Sequence, residues 1–590
     1  MGKRVGGHRF SRLGKQRISR TVGEITETKQ FLLSPQFQVS SGIFQAYFLE
    51  IVNIGNLVDR STPSFGASLM NMNTQTPSRI FQPEGSMRVI LFAVISTIIC
   101  VQSSRAAERN IIVFVTDDES PTLGCYGDRV AVTPAIDSMA ADGVVFDNAF
   151  ATTASCSASR SVILSGLHNH TNGQYGHQHA FHKFASWYDV VSLSLPRALA
   201  RAKYRTARIG KYHVAPEEVY HFETVLKGNP RNAVQMADAS AEVINSKSEK
   251  PFFLYFATSD PHRGGGRDED SSLELKPDLF GNIKNRGSHK GIKEVFFESE
   301  DMQIPSFLPD TAETRSELAQ YYQSCARIDQ GLARLVEILK EADLFDKTLI
   351  LFTSDHGMAF SGGKTTVYEP GLRVPFVVRD PYSKDRGVRT QSIVNHTDIA
   401  PSLLDFAGEL DHQKQRPKHW VAPNEYWKDK PYAANENHGP RKGVEAYHGR
   451  SWIPILSDTD MTIHDAHFAS HTFHEIQMYY PMRAIRDHDW KLIWNIAHPL
   501  PYPFASDLWA ASSWQSQYRR SLDAPYGTKT VQEYIHRPRF ELYHIAEDPE
   551  EAVNLADDPN QAAVLLRYKE KLKSMQRQFA DPWITKWDYE

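Results

Sequence analysis

The chain has few cysteines, no excess of one charge and no apolar run long enough to anchor it. Four cysteines in 590 residues, at Cys100, Cys125, Cys156 and Cys325, are too few for a disulfide framework. The 66 basic and 70 acidic residues leave a formal net charge of -4. That balance gives no electrostatic footprint for nucleic acid or for an anionic membrane surface, although net charge averages local basic pockets away. The apolar run from Val89 to Val101 is too short to span a bilayer comfortably, so no stable membrane anchor is expected. No internal repeat is found, and no long low-complexity segment beyond the first 86 residues. What is present is an ordinary globular balance, 41% hydrophobic and 23% charged, in a chain long enough for a large domain and a smaller companion.

Met87-Arg88, the apolar run and the small residues up to Ala106-Ala107 form the three parts of a secretory signal. Residues 1–86 precede it and are rich in Gly, Arg, Ser, Thr and Gln, so they read as a non-native or disordered leader. The expected organisation is therefore leader 1–86, signal peptide 87–107, main domain 108–480 and small C-terminal domain 481–590. Export is expected, to a periplasm, the exterior or a lysosome-like compartment.

Three nearly continuous apolar runs follow, at 110–116, 252–257 and 348–353. Such runs suit strands buried on both faces of a parallel sheet. Each ends abruptly in polar residues: Asp117-Asp118, Ser259-Asp260-Pro261-His262 and Ser354-Asp355-His356. The C-terminal edge of an open α/β sheet is where ligands bind. Leu318, Tyr321, Tyr322, Cys325, Ile328, Leu332, Leu335, Val336 and Leu339 recur at helical spacing and predict a core helix. Beyond about residue 480 the runs shorten and become aromatic, and a helix from about Gln561 to Gln578 closes a small α+β unit.

Adjacent acids are costly to bury without a cation, and carboxylate oxygens suit a hard divalent ion such as calcium or magnesium. Asp117-Asp118 alone would more simply be a helix cap or a solvated pair. A lone Cys among small residues, as Cys156 is, is most often an inert buried thiol. At a helix N-terminus, however, it would lie among free N–H groups that favour an anion.

In order along the chain, these segments resemble the formylglycine-dependent sulfatase family. Cys156-Ser157-Ala158-Ser159-Arg160 with Leu164-Ser165-Gly166 is similar to its first signature, and Tyr204–His213 to its second. Asp117-Asp118, Asp260-Pro261-His262, Asp355-His356-Gly357, Lys364 and the closing Glu541-Leu542-Tyr543 follow in the family's order. Ser470–Glu475 and Met478–Arg483 are similar to the branch of N-sulfoglucosamine sulfohydrolases, where that stretch helps form the sugar pocket. Three positions depart from these patterns: Ala158 replaces Pro, His356 replaces that branch's Asn, and Lys364 replaces its Arg, a point charge for a forked donor.

The resemblance implies an alkaline phosphatase-like α/β sandwich, with a large, mostly parallel sheet covered by helices and a smaller C-terminal antiparallel sheet. It implies conversion of Cys156 to formylglycine by a maturation enzyme, and one divalent cation, Ca2+ by preference, held by Asp117, Asp118, Cys156, Asp355 and His356. Arg160, Lys211 and Lys364 would neutralise the sulfo oxygens. His262 would protonate the leaving group and His213 would accept the proton that lets sulfate depart. Asp260, Arg263, His474 and Glu475 would bind the sugar. The implied substrate is a sulfated saccharide, foremost the N-sulfo group of glucosamine in heparan-type chains. An O-sulfatase is the first alternative; a phosphoesterase or a non-catalytic sulfate binder is more remote. Oligomeric state stays open, a homodimer included.

Overall fold

A computed structural model describes residues 109–178, 183–264, 279–283, 286–430 and 441–589. The expected leader and signal peptide lie outside these residues. The first apolar run is β1 (Asn110–Thr116), and every residue of it is buried. With β2 (Val144–Phe150), β3 (Arg205–Gly210), β4 (Thr224–Val225), β5 (Phe252–Ala257), β6 (Thr348–Ser354), β7 (Phe376–Arg379) and β8 (Val388–Asn395) it forms one sheet in the order β4-β3-β5-β1-β6-β7-β2-β8. Only β7 runs antiparallel to its neighbours.

Both faces of this sheet are covered, which is why its central strands carry no polar alternation. Ile111, Val113 and Val115 face one way. They pack with Ile163 of α2 (Cys156–Ser165), Leu199 of α3 (Leu195–Arg201) and Leu403 of α6 (Ile399–Phe406). Ile112 and Phe114 face the other way. Their partners are Met139 of α1 (Pro134–Ala141), Met236 of α4 (Ala233–Ile244) and Leu335 of α5 (Ala312–Glu341). The period of two along the strand thus separates two cores. The expected helix is α5, with Thr311 as N-cap accepting from the Thr314 N–H. Cys325 is buried in it, Cys125 is half-buried, and both are free thiols.

A second sheet, antiparallel and in the order β9-β10-β11-β12, comprises β9 (His467–Phe473), β10 (Tyr479–Arg486), β11 (Lys491–Asn495) and β12 (Phe540–Tyr543). The domain boundary expected at 480 falls inside β10, and β9 precedes it. One face packs on Tyr568 and Leu572 of α8 (Ala562–Gln578). The other shares a core with Phe150 and with Leu318 and Tyr321 of α5. Lys491 on β11 reaches Glu369, which begins a short helix between β6 and β7, at 2.9 Å, and Glu551, beyond β12, at 2.8 Å. Among the described residues no helix is long and apolar enough to cross a membrane.

Candidate active site

Register brings the polar strand ends together. Thr116 pairs with Ser354, so Asp117 and Asp355 leave the sheet side by side. Gly210 pairs with Ala257, so Lys211 leaves β3 beside the start of the Asp260-Pro261-His262 turn. Gly210 has φ +82° and a Cβ there would lie 2.0 Å from the Ala257 carbonyl oxygen, so only glycine lets β3 turn at this point.

Cys156 is the first residue of α2 and is fully buried. Ser155 is the N-cap, but its hydroxyl bonds His474 Nδ1 at 3.1 Å instead of capping the helix. The first-turn N–H groups therefore receive no side-chain cap, which leaves the positive end of the helix for an anion. The Cys156 Sγ lies 3.5 Å from Asp118 Oδ1 and 3.3 Å from His356 Nε2. Donor atoms of Asp118, Cys156, Asp355 and His356 all fall within 4.8 Å of one another.

Arg160, one turn into α2, ties three strand ends together. Its Nε donates to Asp355 Oδ2 at 2.9 Å, Nη2 to Asp117 Oδ1 at 3.1 Å, and Nη1 to the Lys211 carbonyl at 3.0 Å. Every guanidinium nitrogen is thus engaged by protein, and Arg160 orders the site rather than facing an open sulfo position. Asp117 is taken up in the same way, by Arg160 and by Lys211 Nζ at 2.5 Å. It is the one expected metal ligand outside the four-donor set.

Lys364 Nζ lies 2.9 Å from Asp118 Oδ2, 2.9 Å from His262 Nε2 and 2.9 Å from Asp507 Oδ2. Asp118, His262 and Asp507 form a second donor cluster, and this ammonium already occupies it. His262 Nδ1 meets the Arg263 carbonyl at 2.6 Å, which fixes Nδ1 as the donor and Nε2 as the acceptor from Lys364. Asp507, on the short helix α7 (Ser506–Trp509), carries no motif and is not identifiable in the sequence.

The expected sugar contacts divide. Asp260 is buried between Arg231 at 2.9 Å and Arg327 at 2.9 Å. Arg263 is buried against Glu317 at 2.9 Å, and its guanidinium lies over the rings of Phe280 and Phe360. Both support the turn beneath His262, and neither is turned to an open pocket. His474 does reach the site through Ser155. Its ring centre lies 3.7 Å from that of His177, the planes tilted by 55°, and His177 lies 4.9 Å from the ring of His213. His177 follows a segment that the sequence marks, Gly173–Gly176, but its own part is visible only in the fold. Glu475 is half-buried in the next turn and accepts from Gln477 at 2.5 Å.

Burial pushes the Asp117 and Asp118 carboxyls up. Lys211 and His262 beside Asp117, and Lys364 and His262 beside Asp118, outweigh it and hold both below the usual range. At Asp355 burial prevails over Arg160 and the carboxyl is raised. Burial also lifts the Cys156 thiol far above its usual value, so an unmodified Cys156 is a neutral thiol and a poor nucleophile. For Lys364, Asp118 and Asp507 overcome burial and keep the ammonium. Burial and then Lys364 bring His262 down to about 4. The donor set fits one divalent cation: two buried carboxylates, an imidazole and the position-156 side chain converge within 4.8 Å of one another.

A family model described as Sulfatase matches residues 109–409. The chain is 32% identical over 494 residues to N-sulphoglucosamine sulphohydrolase of Homo sapiens, covering 81% of this chain and 92% of that one. It is 27% identical over 482 residues to an ulvan-active sulfatase of Formosa agariphila, covering 80% of each. Among solved structures, a protein in complex with its substrate D-glucosamine-2-N,6-O-disulfate superposes with TM-score 0.53 and 20% identity, over 80% of this chain and 98% of that one. Phosphonate monoester hydrolase of Agrobacterium radiobacter gives TM-score 0.53 and 19% identity, over 80% and 96%. At these identities the two structures speak for the fold alone.

Proposed function

The chain belongs to the sulfatase family, and we propose that it hydrolyses the N-sulfo group of glucosamine in heparan-type saccharides. The observation that carries the sulfatase reading is the buried Cys156 at the uncapped start of α2, inside a four-donor set and beside Lys364. The N-sulfo preference is supported by the human relative and by the likeness of Ser470–Arg483, whose His474 is bonded to Ser155 next to Cys156.

Formylglycine at position 156 would supply the attacking oxygen, with the Cys156 Sγ marking its place. A calcium ion held by Asp118, Asp355, His356 and the position-156 oxygen would supply Lewis acidity toward the sulfo group. Lys211, partly open to solvent, and Lys364 neutralise the sulfo oxygens. Arg160 holds Asp117, Asp355 and the end of β3 at fixed spacing, so these charges need no reorganisation as the reaction proceeds. Breaking the S–N bond leaves a nitrogen that needs a proton. His262 would deliver it as the imidazolium, after Nε2, which faces Lys364 at 2.9 Å, has taken a proton from solvent. His213 takes the proton that accompanies sulfate release, within the His213–His177–His474 file of imidazoles. A maturation enzyme acting on Cys156 and export through the 87–107 segment complete the proposal.

Sulfate release from defined N-sulfated and O-sulfated glucosamine disaccharides tests it. Turnover of the N-sulfated sugar is expected. Release only from O-sulfated sugars overturns the N-sulfo assignment, and release from neither overturns the hydrolase.

A further inference from the structure

Three carboxylates lie near the candidate nucleophile, and a fourth, Asp507, joins them through Lys364. Asp117, Asp118 and Asp355 come from the C-terminal edge of the large sheet, and their side chains are wholly buried. Asp507 comes from α7, far along the chain, and its side chain keeps 20% exposure. His262, the proposed proton donor, keeps 24%. These two side chains therefore stand on the open side of the cluster, with carboxylate and imidazole 4.0 Å apart. Lys364, 1% exposed, lies beneath them. Asp507 holds Lys364 through Oδ2. A carboxylate offers acceptor sites at two oxygens and about four lone pairs, so it can take further donors.

We propose that Asp507 reads the atom that bridges sulfur and sugar. The inference rests on the N-sulfo reading and deepens it. A sulfamate nitrogen bears an N–H, whereas the bridging oxygen of a sulfate ester bears none. A carboxylate beside the leaving-group acid accepts a hydrogen bond from the first and only repels the lone pairs of the second. The preference grows along the reaction: the S–N bond breaks as the sulfo group passes to the position-156 oxygen, nitrogen takes one proton from the His262 imidazolium to become an amine, and a second from solvent to become ammonium. Asp507 then faces a cation. An O-sulfo sugar ends as a neutral alcohol and gains nothing comparable. A second metal ion would serve neither purpose at this place, since Lys364 fills the cluster formed by Asp118, His262 and Asp507.

The test compares full-length mature enzyme with Asp507→Asn and Asp507→Ala on N-sulfoglucosamine, glucosamine 6-O-sulfate and an aryl sulfate. The readout is the ratio of kcat/KM between the N-sulfo and the two O-sulfo substrates, so general damage cancels. That ratio is expected to fall about 10- to 100-fold in the Ala variant, the effect of losing a hydrogen bond to a charged group. The Asn variant, which keeps a neutral acceptor, is expected between the two. A parallel fall on all three substrates, with the ratio unchanged, overturns the inference and leaves Asp507 as an anchor for Lys364. Wild-type enzyme inactive on the N-sulfo substrate fails the functional reading itself, a result separate from an unchanged ratio in an enzyme that cleaves it. Thermal unfolding of each variant identifies one that does not fold. In that case Asp507→Glu, which retains the charge on a longer arm, must lower the same ratio for the inference to stand.

Discussion

The ammonium of Lys364 sits 2.9 Å from the carboxylate of Asp118, in the space a second cation would need. A protein-borne charge thus serves where a second ion could bind, and it is held in register by the fold. Lys364→Met would strand Asp118 and Asp507. Removing one partner of a buried pair costs about 3–5 kcal/mol, and losing one transition-state donor costs about 10²–10³ in kcat. Chemical denaturation and steady-state kinetics measure the two. Adding Asp507→Asn to Lys364→Met should recover part of the stability but none of the rate. Strict additivity of the two substitutions in the stability cycle would disprove the coupling.

Cys156→Ala should abolish turnover, by about 10⁵–10⁶-fold if position 156 is the nucleophile. Peptide mass spectrometry of the active enzyme should find the thiol replaced by an aldehyde at that residue. Full activity with an unmodified thiol would refute the mechanism, since burial keeps the Cys156 thiol neutral.

Chelation should remove activity and lower stability together, because Asp118 and Asp355 would then lose the cation proposed for their donor set. For an ion present at about 100 times its Kd the loss is about 2.7 kcal/mol. Dialysis against a chelator, metal analysis and restoration with calcium give the measurement. Unchanged activity in metal-free protein would exclude the assignment.

These sites differ in how far the sequence discloses them. Asp117-Asp118 and Asp355-His356 are legible because an apolar strand stops abruptly on them, and strand register then makes them neighbours. The helix of residues 318–339 is legible from its period, and α5 contains it. Asp507 is illegible because its partner, Lys364, is distant in sequence and no spacing links them. Asp260 and Arg263 stand in a motif beside a proposed catalytic residue, and only the fold shows their buried ion pairs, Asp260 with Arg231 and Arg327 and Arg263 with Glu317. β9 also precedes residue 480, since nothing in composition separates its strand residues from those before them.

Arg263→Met should therefore act on stability rather than on substrate binding. Its guanidinium is held by Glu317, which also accepts from the Ser512 N–H at 2.8 Å and the Ser513 hydroxyl at 2.5 Å. A loss of about 3–5 kcal/mol is expected from stranding Glu317. KM should change little. A large rise in KM with an unchanged denaturation midpoint would return Arg263 to the sugar pocket.

The remaining prediction concerns acid. Burial brings His170 down to about 4 and His448, His467 and His471 down to about 3, against an ordinary value near 6.5. Each is neutral in the folded protein and takes up a proton on unfolding once the pH drops below that ordinary value. Their contribution to stability is thus complete above about pH 6.5 and declines as pH falls toward the folded values, by about 1.4 kcal/mol per pH unit for each fully titrating imidazole. Because the four lie in one region around β9, the declines compound. The urea midpoint should fall steadily from pH 7 to pH 5, and His467→Phe, which stacks on Phe150 without a titrating group, should flatten that fall. A midpoint that is level across this range would show that the histidines are already charged or exposed in the folded protein. A steep fall would instead favour a near-neutral site of action, such as a periplasm or the exterior, over an acidic lysosome-like compartment.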